Sequence, residues 1–146
     1  MSNEKLYLDD NIQHLNDIDH IRLRVSMYLG TIGPIGLYKL DCEPIQNAID
    51  EAMEGYGDVC KVTLNSQENL MCVEDWGRGI PIGKLKAVFT ESHTGGKFNN
   101  DTYRFHAGAN GVGNTVLAAL SKWLKVEVYR EPYIYQGKSY PAQYGR

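Results

Sequence analysis

The chain has 146 residues, 42% of them hydrophobic and 23% charged, with a formal net charge of −3. That length suits one domain with a modest core, and the composition is that of a soluble globular protein rather than a disordered one. The acidic balance argues against a surface built mainly to hold nucleic acid, so any DNA contacts are expected on a partner or on further sequence.

The first 20 residues are polar with scattered Leu, Ile and Tyr, and read as an arm carrying a short helix near residues 12–20. No signal-peptide core follows Met1, and no run of about 18 apolar residues exists to span a membrane. Cytoplasmic residence without a membrane is therefore expected. IRLRVSMYLG ends in a Gly-marked turn at Gly30, and GTIGPIG is a loop by its Gly and Pro content. From Leu37 the apolar positions 37, 40, 45, 48, 49, 52 and 53 form one helical stripe that stops at Gly55. Pro44 lies inside it and predicts either a local distortion or a helix that starts there. VCKVTL and LMCVE, separated by polar NSQEN, predict a hairpin. Cys60 and Cys72 lie in these apolar runs, and with Cys42 they are expected to be free thiols, the first two buried. KLKAVF predicts a short helix, residues 91–111 a long glycine-rich loop, Asn114–Leu124 a second helix, and KVEVYRE and YIYQGKSYPAQYG two last strands. The physics of the pattern gives an α+β class.

Four stretches could carry chemistry. On a helix, Glu43, Asn47, Asp50, Glu51 and Glu54 share one face opposite the apolar stripe, because positions i, i+4 and i+7 stack. A solvated acidic face is the plain account of that helix alone. Asn47 is the exception, being a mediocre helix former. In DWGRGIP a carboxylate, Asp75, ends a strand, and Gly77 and Gly79 flank Arg78. This is either an ordinary strand-to-loop turn or a carboxylate offered to a ligand's amino group, with bare backbone able to approach a flat ring. HTGGKF is a flexible turn bearing Lys97. In AGANGVGNTVLAAL, Gly108, Gly111 and Gly113 precede a helix, although each Gly costs up to about 1 kcal/mol against Ala within one. Free N–H groups and the positive end of the dipole make such a tip attractive to phosphate. The G-K-[ST] of a P-loop and the G-x-G-x-x-G order of a dinucleotide site are both absent.

Taken together in this order, MYLG, E-x-x-x-NAIDEA, D-x-GRGIP, TGGKF and GANGVG resemble the GHKL (Bergerat-fold) ATPases. Within them they resemble the ATPase domain of type IIA DNA topoisomerases, the family of the B protein of DNA gyrase and the E protein of topoisomerase IV. The resemblance covers about residues 21–131. It implies a two-layer α/β sandwich with a mixed, mostly antiparallel sheet and helices on one face, an arm at 1–20, and an ATP-binding domain at 21–146 cut short before a transducer domain. It implies ATP and Mg²⁺ as cofactors and roles residue by residue. Glu43 would be the general base, Asn47 the Mg²⁺ ligand and Asp75 the acceptor of the adenine amino proton. Arg78 would lie over the adenine edge, with Glu51 able to pair with it. Gly79, Ile80 and Pro81 would wall the base, Lys97 and Tyr103 would belong to a lid at 92–110, and Gly111, Val112 and Gly113 would clamp phosphate. Tyr7 would reach a second protomer's nucleotide.

The implied whole is a magnesium-dependent topoisomerase that drives strand passage by ATP-dependent self-dimerisation, beside a second, DNA-cleaving protein. DNA would be met through that complex and inhibitors through the ATP pocket. Another GHKL machine of chaperone or mismatch-repair type, or a non-hydrolysing nucleotide binder, are the alternatives. This sequence departs from the family at Lys39, where bacterial members carry His, and at Pro44, Trp76 and Asn110. Pro141 stands about where an aminocoumarin-binding Arg is expected. Without the transducer's Lys, this chain is expected to hydrolyse ATP poorly, since phosphoryl transfer depends on positioned positive charge.

Overall fold

The computed structural model describes residues 15–94 and 111–146. Two short helices open it, α1 (Asp17–Leu23) and α2 (Val25–Leu29). The Asn16 side chain caps α1 by accepting the Asp19 N–H at 2.9 Å, and Asp17 and Asp19 suit the positive end of its dipole. Gly30, at φ 74°, closes α2 in the left-handed conformation that glycine adopts without strain.

The long helix α3 runs Pro34–Met53. It starts three residues ahead of the apolar stripe, because Pro34 sits at N1, where its fixed φ is already helical and its missing N–H would have had no partner. The helix passes through Pro44 rather than beginning there. It ends at Glu54 with Gly55 at φ 86° beyond. Strands β1 (Cys60–Asn65) and β2 (Leu70–Asp75) pair antiparallel, from Cys60 opposite Asp75 to Asn65 opposite Leu70. The Asn65 carboxamide organises the turn by accepting the Gln67 and Glu68 N–H groups. A 3₁₀ turn at Ile82–Lys84 leads into α4 (Leu85–Thr90).

Helix α5 (Gly113–Leu120) is the centre of the molecule, touched by α1, α3 and α4. Ile21, Leu40, Val116, Leu117 and Ala119 form the buried core around it, flanked by Ile18, Tyr28, Leu29, Val112 and Leu120. Each large aliphatic group buried there contributes about 2 kcal/mol. α5 stops at Leu120, four residues short of the expected end. Ser121 turns extended, and its hydroxyl and N–H both go to the Leu117 carbonyl, at 2.7 and 3.1 Å. Trp123 is consequently 62% exposed instead of joining the stripe.

Four short strands close the chain where two were expected: β3 (Val128–Arg130), β4 (Tyr133–Tyr135), β5 (Lys138–Tyr140) and β6 (Gln143–Gly145). β3 pairs with β6 and β4 with β5. One register carries through both ladders and sets Pro132 opposite Pro141 at the break. Two residues without N–H facing each other cannot continue a ladder. Gln136 and Gly137, both at positive φ, form the two-residue turn at the tip. The class is α+β, as expected. Among the described residues the strands pair two by two, all antiparallel, and α3 packs against both β1 and β2. No helix among these residues is long and apolar enough to cross a membrane.

Two expectations are corrected. All three cysteines are free, but Cys60 and Cys72 are exposed, since Cys60 ends the hairpin and Cys72 alternates onto the face it shares with Thr63, Lys61 and Glu74. The apolar stripe of α3 splits. Leu40 and Ala48 are buried, whereas Leu37, Ile49 and Met53 are exposed and Asp50 is only 1% exposed. α5 meets α3 through Leu40 on the apolar stripe and through Glu43 and Asn47 on the polar face.

Candidate functional site

Glu43, Asn47 and Glu51 occupy successive turns of α3, spanning about 12 Å along its axis. All three are half-buried. At the Glu43 end lies the tip of α5. The Glu43 carboxylate rests so close to Gly113 that a Cβ on Gly113 would overlap it. Val112, at the N-cap position of α5, makes no side-chain cap hydrogen bond, and Gly111, at φ 61°, brings the chain round to that tip. One turn on, Asn47 Nδ2 donates to Asn114 Oδ1 at 2.8 Å, which orients the Asn47 amide. Thr115 anchors the same turn from inside, its hydroxyl donating to the Glu91 carbonyl at 3.1 Å while the residue is only 1% exposed.

At the other end, Glu51 accepts three hydrogen bonds from Arg78: from its backbone N–H at 3.1 Å, from Nε at 3.0 Å and from Nη2 at 2.9 Å. The guanidinium also lies 4.2 Å from the centre of the Tyr56 ring. Gly77 fits between Asp75 and Glu51, where a Cβ would meet both side chains at 2.9 Å. Asp75, exposed at the end of β2, accepts the Gly77 N–H on Oδ1 at 2.8 Å. Gly79, at φ 74°, packs against Val128 and Arg130 of β3. Ile80 is half-buried and Pro81 exposed as the loop enters the 3₁₀ turn. One face of α3 thus joins a bare helix tip at Glu43 to a carboxylate-bearing loop at Glu51, which suits a long ligand with an anionic end and a hydrogen-bonding end.

Glu51→Ala should lower stability by about 2 kcal/mol, since a half-buried guanidinium loses a bidentate charged partner. Thermal unfolding measures this, and an unchanged midpoint would mean that solvent replaces the pair at no cost.

Lys97, Tyr103, Asn110 and the Tyr7 arm lie outside the described residues. The Lys39 amine donates to the Leu29 carbonyl at 3.3 Å, the favourable place for a cation at the C-terminus of α2. Four residues at the site escape sequence reasoning. Asn114 and Tyr56 are partners made only by folding. Cys60 faces Asp75 in the register, and partial desolvation first and that carboxylate second push its thiol pKa up, which keeps the thiol neutral beside the charge. Arg130 Nε donates to the Arg78 carbonyl at 3.3 Å, so β3, not Pro141, supplies a cation beside this loop. Among the described residues no group of three His, Cys, Asp or Glu could hold a metal by itself. A separate open groove of about 790 Å³ between α4 and the end of the chain shares none of these residues.

Residues 34–140 match the family model described as histidine kinase-, DNA gyrase B- and HSP90-like ATPase. The chain is 40% identical over 142 residues to the B protein of DNA topoisomerase 4 from Staphylococcus epidermidis, covering 92% of this chain and 21% of that protein. It is 41% identical over 148 residues to DNA gyrase B of Thermotoga maritima, covering 96% and 22%. It thus spans about a fifth of the length of these relatives. Among solved structures, the 43K ATPase domain of Thermus thermophilus gyrase B in complex with an aminocoumarin is similar with a TM-score of 0.65 and 31% identity, covering 89% of this chain and 35% of that one.

Proposed function

Because the chain belongs to the histidine kinase-, DNA gyrase B- and HSP90-like ATPase family, we propose that the α3 face holds ATP with Mg²⁺ and that the protein is the ATPase part of a type II DNA topoisomerase. The observation that carries this reading is the continuity of Glu43, Asn47 and Glu51 on one face between the α5 tip and the Asp75 loop. The N–H groups around Gly111, Val112 and Gly113 receive the phosphates, aided by the helix dipole. Asp75 accepts a proton of the adenine amino group, Arg78 lies over the base edge and is held there by Glu51, and Gly79, Ile80 and Pro81 wall the base. Glu43 takes the proton of the water that attacks the γ-phosphorus as the bond to the β-phosphate oxygen breaks.

A single amide oxygen beside a carboxylate suits Mg²⁺, which keeps several waters and takes few protein ligands. Asn47, its amide oriented by Asn114, would hold it, and the ion would neutralise charge on the phosphates. Lys97 and Tyr103 complete the site as lid residues. In the whole protein, with residues 1–20 as an arm reaching a second copy, ATP-dependent dimerisation would drive strand passage by a DNA-cleaving partner protein in the cytoplasm. The aminocoumarin complex of the gyrase B relative and the cation of Arg130 beside the loop support the same pocket as an inhibitor site.

Calorimetry with a non-hydrolysable ATP analogue tests the reading. Binding should strengthen with Mg²⁺, and Asp75→Asn should weaken it by about 10- to 100-fold, the worth of a charged hydrogen bond. Equal affinity of the two proteins would remove adenine from the Asp75 loop.

A further inference from the structure

Residues 121–146 carry Lys122, Lys125, Arg130, Lys138 and Arg146 against Glu127 and Glu131, so this stretch is net +3 within a chain of net −3. The same stretch holds five of the ten tyrosines. Folding gathers them on the β3–β6 and β4–β5 ribbon as cross-strand pairs. The Tyr129 and Tyr144 rings lie 4.8 Å apart, and those of Tyr133 and Tyr140 are stacked at 4.7 Å with 8° between their planes. Tyr135 faces Lys138 at the tip. The arrangement is built outward: Tyr129, Tyr135 and Tyr144 remain 71%, 59% and 51% exposed.

Arg130 lies 4.7 Å over the Tyr133 ring and reaches the Arg78 carbonyl, so it ties the ribbon to the body. Lys125 pairs with Glu127 at 2.9 Å at the foot. Lys138 at the tip and Arg146 beyond β6 are exposed.

We infer that this ribbon is a docking surface for single-stranded nucleic acid. Exposed aromatic rings accept unpaired bases on their faces, and cations at both ends of the ribbon meet the phosphates. Duplex bases have their faces already covered by stacking, so rings presented in this way favour an unpaired strand. The basic stretch 121–146 of an otherwise acidic chain also orients an approaching polyanion. The net charge of the chain conceals this, because it sums two stretches of opposite sign. The inference stands independently of the nucleotide site.

Fluorescence anisotropy of a labelled oligo(dT) strand with the full chain is the test. Wild type should bind, with affinity falling about tenfold between about 50 and 200 mM salt, as two or three phosphate contacts require. Tyr135→Ala and Lys138→Glu should each weaken binding at least about fivefold, and Tyr135→Phe should retain it. Both side chains lie at an exposed tip, so circular dichroism and nucleotide affinity should not change. No binding by wild type, an unaffected Tyr135→Ala, or equal affinity for a duplex of the same length would overturn the inference. Displacement of the strand by poly-glutamate of matched charge would assign the surface to acidic protein instead and equally overturn it.

Discussion

Glu43→Ala is expected to slow ATP hydrolysis by about 10² to 10⁴-fold, the range a positioned general base supplies, without weakening nucleotide binding. The second half of that expectation comes from geometry. The Glu43 carboxylate lies against Gly113 at the tip of α5, where an anion interacts favourably with free N–H groups and the dipole. On the proposed reading, the carboxylate therefore lies in the neighbourhood a phosphate would enter. Removing it takes away both the proton acceptor and a competing anion. Affinity for a non-hydrolysable analogue should thus be no lower than wild type and higher by about two- to fivefold, equivalent to the 0.3–1 kcal/mol of a helix-end charge. Single-turnover hydrolysis with excess protein, beside calorimetry, reads both effects. Unchanged hydrolysis would take the base role from Glu43, and lost binding would make it a ligand contact instead.

Gly113→Ala should have the opposite signature, with nucleotide binding lost and stability nearly kept. A methyl group at this position overlaps the Glu43 carboxylate. The atoms it meets are the end of a flexible side chain, which can rotate aside, so the fold should lose no more than about 1 kcal/mol, the low end of overpacking costs. What the methyl group fills is the bare approach to the α5 N–H groups, and no rearrangement of Glu43 restores that. Phosphate contacts there should fail, with affinity falling by about 100-fold or more, corresponding to roughly 3 kcal/mol for lost charged hydrogen bonds. Calorimetry and thermal unfolding separate the two quantities. A variant that binds normally would show that phosphate lies away from the α5 tip. A variant that unfolds would show that Glu43 cannot move.

Much of this site was legible along the chain because its parts are local. Glu43, Asn47 and Glu51 share a face by helical period alone, Asp75 ends a β-rich apolar run, and glycines precede an apolar helix. The ends of elements were less legible. α5 stops where the Ser121 hydroxyl takes the Leu117 carbonyl, and one oxygen in competition with a helix turn leaves no periodic signal. The two prolines that split the last hairpin matter only because the register sets them opposite each other. Cys60 and Cys72 sit in apolar runs, yet their exposure depends on which strand neighbours and helices cover each face.

By itself the sequence determined the kinds of element, the α+β class, and which residues bring carboxylate, amide and bare backbone, since these follow from propensity, period and side-chain chemistry. Tertiary structure alone decided that α5 meets α3 at Leu40, Glu43 and Asn47, that Lys39 turns to Leu29 while Arg130 comes to the loop, and that five tyrosines gather on one ribbon. Most of those contacts join residues tens of positions apart. Their energies depend on distance and desolvation in three dimensions, which no local pattern of residues encodes.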